Sequence, residues 1–153
     1  MLNKAIPQEL IRSLRLLVLD SDGVSVPRGT EISERESETL YEASIKTFRI
    51  TDEFAELLNQ LKKKITICIC SGRSLLYLQG MFGKILGGGT TLQAENGNLS
   101  LVDGTIVQHF FYDEEYFKKL ADMKRDIVKL PIEGIEPKQF ILSVHAPQEF
   151  REV

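Results

Sequence analysis

The chain has 153 residues, which suits one domain or one domain with a small appendage. Hydrophobic residues make up 42% and charged residues 27%, a composition that excludes a wholly disordered protein. The net charge of −3 excludes a broad basic surface, so no nucleic-acid partner is expected. No apolar stretch approaches the roughly 18 residues of a membrane span, and residues 1–13 lack a signal-peptide core. These features predict a cytoplasmic protein with no membrane partner and leave its oligomeric state open.

The first predicted elements are a buried strand and, after a polar loop, a short helix. The apolar run 16–19 ends abruptly at Asp20 and predicts a strand buried on both faces, as in a parallel sheet covered by helices. Ser33 and Glu36 form a capping-box pattern, which predicts a helix over about 34–44.

Strand and helix patterns then alternate. Thr51 is a candidate N-cap for a helix whose apolar residues recur at helical spacing and predict one buried stripe. The residues of this stripe are Phe54, Leu57, Leu58 and Leu61. A strand over 65–70, a helix from Ser74 toward Phe82 and a strand near 90–94 follow. This order is typical of a doubly wound, Rossmann-like α/β domain with a parallel sheet.

The pattern changes to α+β after the third strand. Asp103 and Gly104, placed between apolar runs, predict a β-hairpin over 98–110. A helix over about 113–129 and a strand over 140–145 follow the hairpin. The predicted apolar stripe of that helix consists of Tyr116, Leu120, Met123, Ile127 and Leu130.

Two predicted strands end in residues suited to phosphate chemistry. Residues 20–23 (Asp-Ser-Asp-Gly) follow the first strand, and residues 71–73 (Ser-Gly-Arg) follow the strand 65–70. Ligands of open parallel sheets bind beyond the carboxyl ends of the strands. One carboxylate there can attack phosphorus while the other transfers a proton. Because two acids repel a phosphate, a divalent cation is expected, and Mg²⁺ favours such oxygen ligands.

These motifs resemble those of the haloacid dehalogenase (HAD) superfamily. Residues 16–23 resemble its first signature, an apolar strand followed by Asp-x-Asp-Gly, and residues 67–73 resemble its second. Residues 95–97 (Glu-Asn-Gly) and 136–138 (Glu-Pro-Lys) resemble the branch with an inserted α/β cap, which includes sugar-phosphate phosphatases and phosphomannomutase. The likeness covers about residues 15–146.

The resemblance implies a HAD-like core and a HAD-type phosphoric monoester hydrolase. It implies a Mg²⁺-dependent phosphatase that acts through an aspartyl-phosphate on a small phosphorylated metabolite such as a sugar phosphate. Asp20 becomes the nucleophile and a metal ligand. Asp22 becomes the general acid and base, with its backbone carbonyl also on the metal.

The resemblance also assigns residues that would hold the substrate. Ser71 would bind the phosphate, and Gly72 and Gly23 allow the backbone to approach it. Arg73 and Lys138 are candidate substrate contacts.

The chain departs from the superfamily pattern in two respects. Val24 stands where the superfamily usually has Thr, and the later lysine and acidic Gly-Asp loop do not occur in a matching context. We therefore expect a longer parent protein and little or no phosphatase activity from these residues alone. The expected division is a HAD-like core over 1–110 and a partial α+β cap over 111–153.

Three other functions stay open. A phosphomutase of the phosphomannomutase type would return the phosphoryl group to its substrate. Residues 48–52 (Phe-Arg-Ile-Thr-Asp) indicate a capless phosphatase of keto-sugar acids, although the predicted hairpin argues against it. A non-catalytic HAD-like binding module would bind Mg²⁺ and phosphate without turnover.

Overall fold

The computed structural model describes residues 7–36 and 39–147. The helices in these ranges are α1 (Gln8–Ser13), α2 (Asp52–Leu61), α3 (Leu75–Phe82) and α4 (Glu114–Ile127). The strands are β1 (Leu16–Leu19), β2 (Glu31–Glu36), β3 (Tyr41–Lys46), β4 (Thr66–Cys70), β5 (Thr90–Ala94), β6 (Leu99–Val102), β7 (Thr105–Gln108), β8 (Gly134–Glu136) and β9 (Ser143–His145). A 3-10 turn lies at Gly83–Ile85, and a tight turn with a non-helical residue at Asn96 lies at Glu95–Gly97.

The central sheet has the strand order β1-β4-β5-β6-β7. The strands β1, β4 and β5 are parallel, with Leu19 paired to Ile69 and Ile69 paired to Leu92. The strands β6 and β7 continue the sheet in antiparallel fashion. The helix α2 lies between β3 and β4 in the chain, α3 lies between β4 and β5, and both pack against the sheet. The predicted Rossmann-like α/β class with a parallel sheet is confirmed for β1, β4 and β5.

The hydrophobic core lies between this sheet and two helices. The alternate residues Ile67 and Ile69 of β4 and Leu92 of β5 join one buried cluster with Leu58 of α2 and Leu78 of α3. Side chains in a strand alternate between the two faces of a sheet, so these strand residues share the face that α2 and α3 cover. This packing holds the carboxyl ends of β1, β4 and β5 in fixed relative positions.

Two leucines of α3 provide a test of where the core lies. Leu78 is 0% exposed and Leu76 is 73% exposed. We expect Leu78→Ala to lower the free energy of unfolding by about 2–5 kcal/mol, because it leaves a cavity in a packed core. The matched change Leu76→Ala should alter it by about 0.5 kcal/mol or less. Urea denaturation of both variants measures the difference; equal losses would contradict this description of the core.

The prediction that β1 is buried on both faces is wrong. Leu16 is 51% exposed and Val18 is 55% exposed, whereas Leu17 and Leu19 pack against the core. Within the described ranges β1 is an edge strand, since it pairs with β4 alone. The face that carries Leu16 and Val18 is the one opposite α2 and α3.

The predicted helix over 34–44 is also wrong. The described part of this segment forms an antiparallel hairpin in which β2 pairs with β3, from Glu31 opposite Lys46 to Glu36 opposite Tyr41. Residues 33–39 contain no apolar side chain, so the first half of the predicted helix would have had no apolar stripe to bury. Pairing with β3 satisfies the backbone groups of β2 instead, and residues 37–38 lie outside the described residues.

The helix α2 begins as predicted, and Phe54, Leu58 and Leu61 of its predicted stripe face the core, whereas Leu57 does not. The Thr51 hydroxyl accepts a hydrogen bond from the Phe54 amide at 3.2 Å, which confirms the N-cap. Ala55 and Leu58 are the buried residues of this helix, whereas Leu57 is half-exposed. The prediction placed Leu57 in the buried stripe because its spacing fits, but the sheet contacts a narrower face of the helix.

The predicted hairpin over 98–110 is confirmed as the pair β6 and β7. Asp103 has a φ of 47° and Gly104 a φ of 81°. These positive values are typical of the turn that joins strands through two residues, which explains the Asp-Gly signal.

The helix α4 is confirmed, but its apolar stripe is not a buried core. Its N-cap is Asp113, whose carboxylate accepts the Tyr116 amide at 2.8 Å. No residue of α4 is buried, and Met123 and Leu130 of the predicted stripe are exposed. In the described ranges, no helix combines the length and the apolar character that a membrane span requires.

The final strand is shorter than predicted. Only Ser143–His145 of the predicted 140–145 run is a strand, and it pairs with β8, a strand the sequence did not indicate. A glycine and a glutamate in a three-residue strand give little periodic signal, which is why β8 was missed.

Candidate active site

The loop after β1 is a tight turn closed by its own backbone. The Ser21 carbonyl accepts the amides of Ser25 and Val26 at 2.9 Å each, and the Gly23 amide donates to the Val26 carbonyl at 2.7 Å. Gly23 has a φ of +81°, and a Cβ at this position would lie 2.7 Å from the Arg28 Nε atom. Glycine therefore suits this position by conformation and by space.

Asp20 is presented at the carboxyl end of β1. Its Oδ1 atom accepts the Ser21 amide at 2.7 Å, and its backbone carbonyl accepts the Ser25 hydroxyl at 2.6 Å. The residue is exposed, so its carboxylate is accessible from solvent. These bonds orient the carboxylate without enclosing it.

Asp22 is held by an arginine and a serine. Arg73 donates from Nε to Oδ2 at 2.9 Å and from Nη2 to Oδ1 at 2.6 Å, a bidentate pair. The Ser21 hydroxyl donates to Oδ2 at 2.8 Å. Burial alone would raise the pKa of Asp22, but the bonds from Arg73 and Ser21 and nearby positive charge lower it below 3.8. Asp22 is thus held as a carboxylate.

Ser71 joins the loop after β4 to the loop after β1. It is buried, and its Oγ atom lies 2.7 Å from the Ser21 Oγ atom. The Arg73 amide donates to the same Ser71 oxygen at 3.3 Å. Since Leu19 pairs with Ile69 in parallel strands, Asp20 and Ser71 leave the sheet at the same edge. The structure therefore brings the two sequence motifs together, with Ser21 linking Ser71 to Asp22.

Gly72 is closely approached by a neighbouring turn. A Cβ at Gly72 would lie 3.0 Å from the Asn96 Oδ1 atom. The predicted phosphate-binding loop therefore has little room for a side chain at its centre.

Arg73 and Lys138, the two candidate substrate contacts, meet at one buried carboxylate. Glu136 Oε2 lies 3.7 Å from Arg73 Nη1 and 3.3 Å from Lys138 Nζ. The side chains of Glu136 and Lys138 are 4% and 3% exposed. Lys138 also donates to the Ser143 hydroxyl, and Arg73 to the Thr30 hydroxyl. The pair of Glu136 and Arg73 thus joins the segment predicted to belong to a cap to the loop after β4.

This cluster contains polar atoms that lack a hydrogen bond. Arg73 Nη1 and Glu136 Oε1 are buried and have no hydrogen-bond partner among the described residues. Buried polar atoms are almost always paired, so an unmet donor and acceptor mark a position that a polar ligand group or water can fill.

A cavity of about 420 Å³ adjoins the same segment. Its lining includes Ser74 at the start of α3, Tyr77, Leu99, Pro137 and Lys138. Cavities of a few hundred Å³ are typical of sites for small molecules. Lys138 is buried but borders a space that a ligand could enter.

Sequence reasoning missed Ser21, Thr30 and Glu95, all of which contact the predicted site residues. Ser21 is 0% exposed, although it occupies the variable position between the two aspartates. A serine in a polar loop carries no sequence signal for burial, because serine is common in exposed turns. Its role depends on a partner that is fifty positions away, at Ser71.

The oxygen atoms at the end of β1 are of the chemical type that Mg²⁺ binds. The Asp20 carboxylate and the Asp22 backbone carbonyl are hard oxygen ligands, and the exposed position of Asp20 leaves room for water. Mg²⁺ commonly binds through one or two protein carboxylates and completes its sphere with water and substrate phosphate. The described residues contain no group of three or more His, Cys, Asp or Glu side chains arranged for a metal.

Sequence comparison gives no relative of this chain. No protein-family model matches it, and no curated protein matches it either.

The fold resembles that of solved phosphatases and hydrolases. The C-terminal domain of trehalose-6-phosphate phosphatase from C. albicans matches with a TM-score of 0.63 and 23% identity, over 94% of this chain and 48% of that chain. IMP-bound IMP-nucleotidase from Plasmodium falciparum matches with a TM-score of 0.54 and 15% identity, over 88% and 40%. A haloacid dehalogenase-like hydrolase from B. subtilis matches with a TM-score of 0.52 and 15% identity, over 75% and 34%.

At these identities the matches show a shared fold. The chain spans less than half the length of each of these three structures. The predicted resemblance to HAD-like hydrolases is confirmed as a HAD-like fold.

Proposed function

We propose, from the HAD-like fold, that this chain carries part of the active site of a Mg²⁺-dependent phosphatase. Its substrate is a small phosphorylated metabolite such as a sugar phosphate. The observation that carries the proposal is the chain of contacts from Asp22 through Ser21 to Ser71, beside Asp20 at the carboxyl ends of adjacent parallel strands. Two of the structural matches are named for phosphorylated small molecules, trehalose 6-phosphate and IMP, which supports this substrate class.

The reaction would proceed in two displacements at phosphorus. The Asp20 carboxylate attacks the phosphorus atom, the bond to the ester oxygen breaks, and Asp22 gives its proton to the departing alcohol. A water molecule then attacks the phosphoryl group on Asp20, gives a proton to Asp22 and releases inorganic phosphate. The Arg73 pair favours the ionised form of Asp22, which the second displacement needs. The first displacement needs a protonated Asp22 and therefore requires this pair to open.

The bound cation would reduce the repulsion between these acids and the phosphate. The Asp20 carboxylate and the Asp22 backbone carbonyl would hold Mg²⁺, which when bound neutralises charge on the transferring group. Ser71 would release the Ser21 hydroxyl and donate its proton to a phosphate oxygen instead, and the backbone at Gly72 and Gly23 would approach the same group.

Arg73 and Lys138 would contact the part of the substrate beyond the phosphate. Arg73 Nη1 has an unmet donor beside the buried acceptor Glu136 Oε1, and both suit a hydroxyl group that donates and accepts. Lys138 borders the 420 Å³ cavity. These positions agree with a polyhydroxylated substrate such as a sugar phosphate.

The proposal is tested by hydrolysis of a panel of sugar phosphates with the longest natural form of the protein. We expect release of inorganic phosphate that requires Mg²⁺ and stops when EDTA is added. An isomeric sugar phosphate without inorganic phosphate would indicate the phosphomutase alternative. Binding of Mg²⁺ and phosphate with no turnover of any ester would indicate a non-catalytic module and contradict the proposal.

Ser71→Ala should weaken catalysis without unfolding the protein. Loss of one hydrogen bond to a charged phosphate costs about 1.5–3 kcal/mol, so kcat/KM should fall roughly ten- to hundredfold. The control Ser13→Ala removes an exposed hydroxyl that donates to the Leu10 carbonyl in α1, at the opposite end of β1. Steady-state kinetics on the same ester compare both variants; unchanged kcat/KM in Ser71→Ala would contradict the assigned phosphate contact.

A further inference from the structure

The turn that follows β5 has an unusual backbone. Glu95, Asn96 and Gly97 all have positive φ values, of 50°, 56° and 93°. Glycine adopts this region freely, whereas glutamate does so only when its surroundings enforce it. Such conformations concentrate at functional sites, where surrounding contacts hold them.

Backbone bonds fix this turn to the predicted phosphate-binding loop. The Glu95 amide donates to the Arg73 carbonyl at 2.9 Å, and the Asn96 amide donates to the Ser71 carbonyl at 3.3 Å. The Asn96 side chain also lies against Gly72. The turn and the loop therefore form one unit.

The Glu95 side chain fixes the same turn to the segment that carries Lys138. Glu95 is 1% exposed, and its carboxylate accepts the Gln139 amide at 3.0 and 3.1 Å and the Phe140 amide at 2.8 Å. A buried carboxylate needs such donors, because an unpaired buried charge is very costly. The two amides that it receives come directly after Lys138.

The far side of this segment is held by aromatic residues. The Phe140 carbonyl accepts the Tyr116 hydroxyl at 2.5 Å, and the Phe140 ring lies 5.4 Å from the Tyr112 ring between centroids. Glu95 on one side and these tyrosines on the other fix the backbone at Phe140. Lys138 lies two residues before Phe140, and its ammonium group is 3.3 Å from Glu136 Oε2. The same Glu136 oxygen is 3.7 Å from Arg73 Nη1.

We infer that Glu95 is a positioning residue that sets the Lys138 ammonium relative to the Ser71–Arg73 loop. The Glu95 backbone is hydrogen-bonded to the Ser71–Arg73 loop, and its carboxylate accepts hydrogen bonds from the two residues after Lys138. Glu95 therefore joins the loop to the segment that carries Lys138. The inference deepens the proposed function and rests on it for the role of Lys138 in substrate binding. In this role Glu95, which is 1% exposed, acts through Lys138.

Hydrogen exchange tests the anchoring without any need for turnover. Glu95→Gln keeps the size of the side chain but leaves one acceptor oxygen where there were two and turns an NH₂ group toward a backbone donor, so at least one of the bonds to Gln139 and Phe140 is lost. We expect exchange at one or both of these amides to accelerate at least tenfold, with β4 and β5 amides unchanged. The control is Glu115→Gln, which alters an exposed glutamate paired with Lys119. Unchanged exchange at Gln139 and Phe140 would overturn the inference.

A double-mutant cycle then tests the link to Lys138. In the longest natural form, Glu95→Gln should raise KM for the preferred sugar phosphate about tenfold while kcat falls less. In the Lys138→Met background the same change should raise KM less than twofold, since residues that act through each other are not additive. A merely structural role would give the same KM increase in both backgrounds, and that result would overturn the inference. If the wild type hydrolyses no ester although exchange responds as expected, it is the phosphatase proposal that fails, and the role of Lys138 fails with it.

Discussion

Asp20→Asn should abolish phosphate-ester hydrolysis, with a loss of roughly 10³-fold or more in kcat. An amide cannot form the proposed phosphoryl intermediate, whereas it can still accept the Ser21 amide that orients the Asp20 carboxylate at 2.7 Å. The residue is exposed, so stability should change little. Turnover of a sugar phosphate with Mg²⁺ is the measurement, on the longest natural form of the protein.

The matched control for this change is Asp126→Asn. Asp126 lies on α4 and pairs with Lys129, and its side chain is 74% exposed. Its replacement should leave kcat within the error of the wild type. If Asp20→Asn keeps turnover comparable to Asp126→Asn, Asp20 is not the nucleophile.

Arg73→Met should destabilise the fold by about 3 kcal/mol, because it removes one partner from a largely buried charge cluster. The change leaves Asp22 without its bidentate partner and leaves Glu136 with Lys138 alone. The expected loss of unfolding free energy lies at the lower end of the range for broken buried ion pairs, because the Asp22 side chain is 26% exposed. Urea denaturation at pH 7 measures it. Arg125→Met, which breaks an exposed pair with Asp122, should cost about 0.5 kcal/mol or less.

The same variant should change how stability depends on pH. The pKa of Asp22 is lower in the folded chain than its ordinary value of 3.8, so its contribution is present above pH 3.8 and is lost as pH falls through the folded value. The wild type should therefore lose part of its advantage over Arg73→Met as pH falls below 3.8 toward the lowered folded pKa of Asp22. A stability difference that stays constant over this range would show that Arg73 does not lower the pKa of Asp22.

Much of the fold, and the meeting of the two motifs at one edge of the sheet, could be predicted because their signals are local. The strand that ends at Asp20 and the hairpin at Asp103 and Gly104 are specified by short runs and turn residues. The two phosphate motifs follow strands that pair in parallel, so their meeting at one edge follows from the order of elements.

What could not be predicted depends on contacts between distant residues. The capping-box pattern at Ser33 and Glu36 is local and fits a helix start, but pairing with β3 determined the structure. Burial of Ser21 depends on Ser71, and burial of Glu136 depends on Arg73 and Lys138. No spacing within the sequence indicates these partners.

The ion pair between Arg73 and Glu136 could not be predicted from sequence motifs either. Arg73 follows a recognisable strand end, and its partner Asp22 lies in the other motif. Glu136 belongs to a three-residue strand that was not predicted. The candidate substrate roles of Arg73 and Lys138 stay predictions, although the structure places both at one carboxylate.

The central claim is that Asp20 accepts the phosphoryl group beside Asp22 and Ser71. Its most direct test is mass spectrometry of acid-quenched protein, taken within one turnover of a reactive phosphate ester in the presence of Mg²⁺. We predict a phosphoryl group on the peptide that contains Asp20, absent with EDTA and absent in Asp20→Asn. Ester hydrolysis that proceeds while Asp20 stays unmodified, or a phosphoryl group on another residue, would contradict the account.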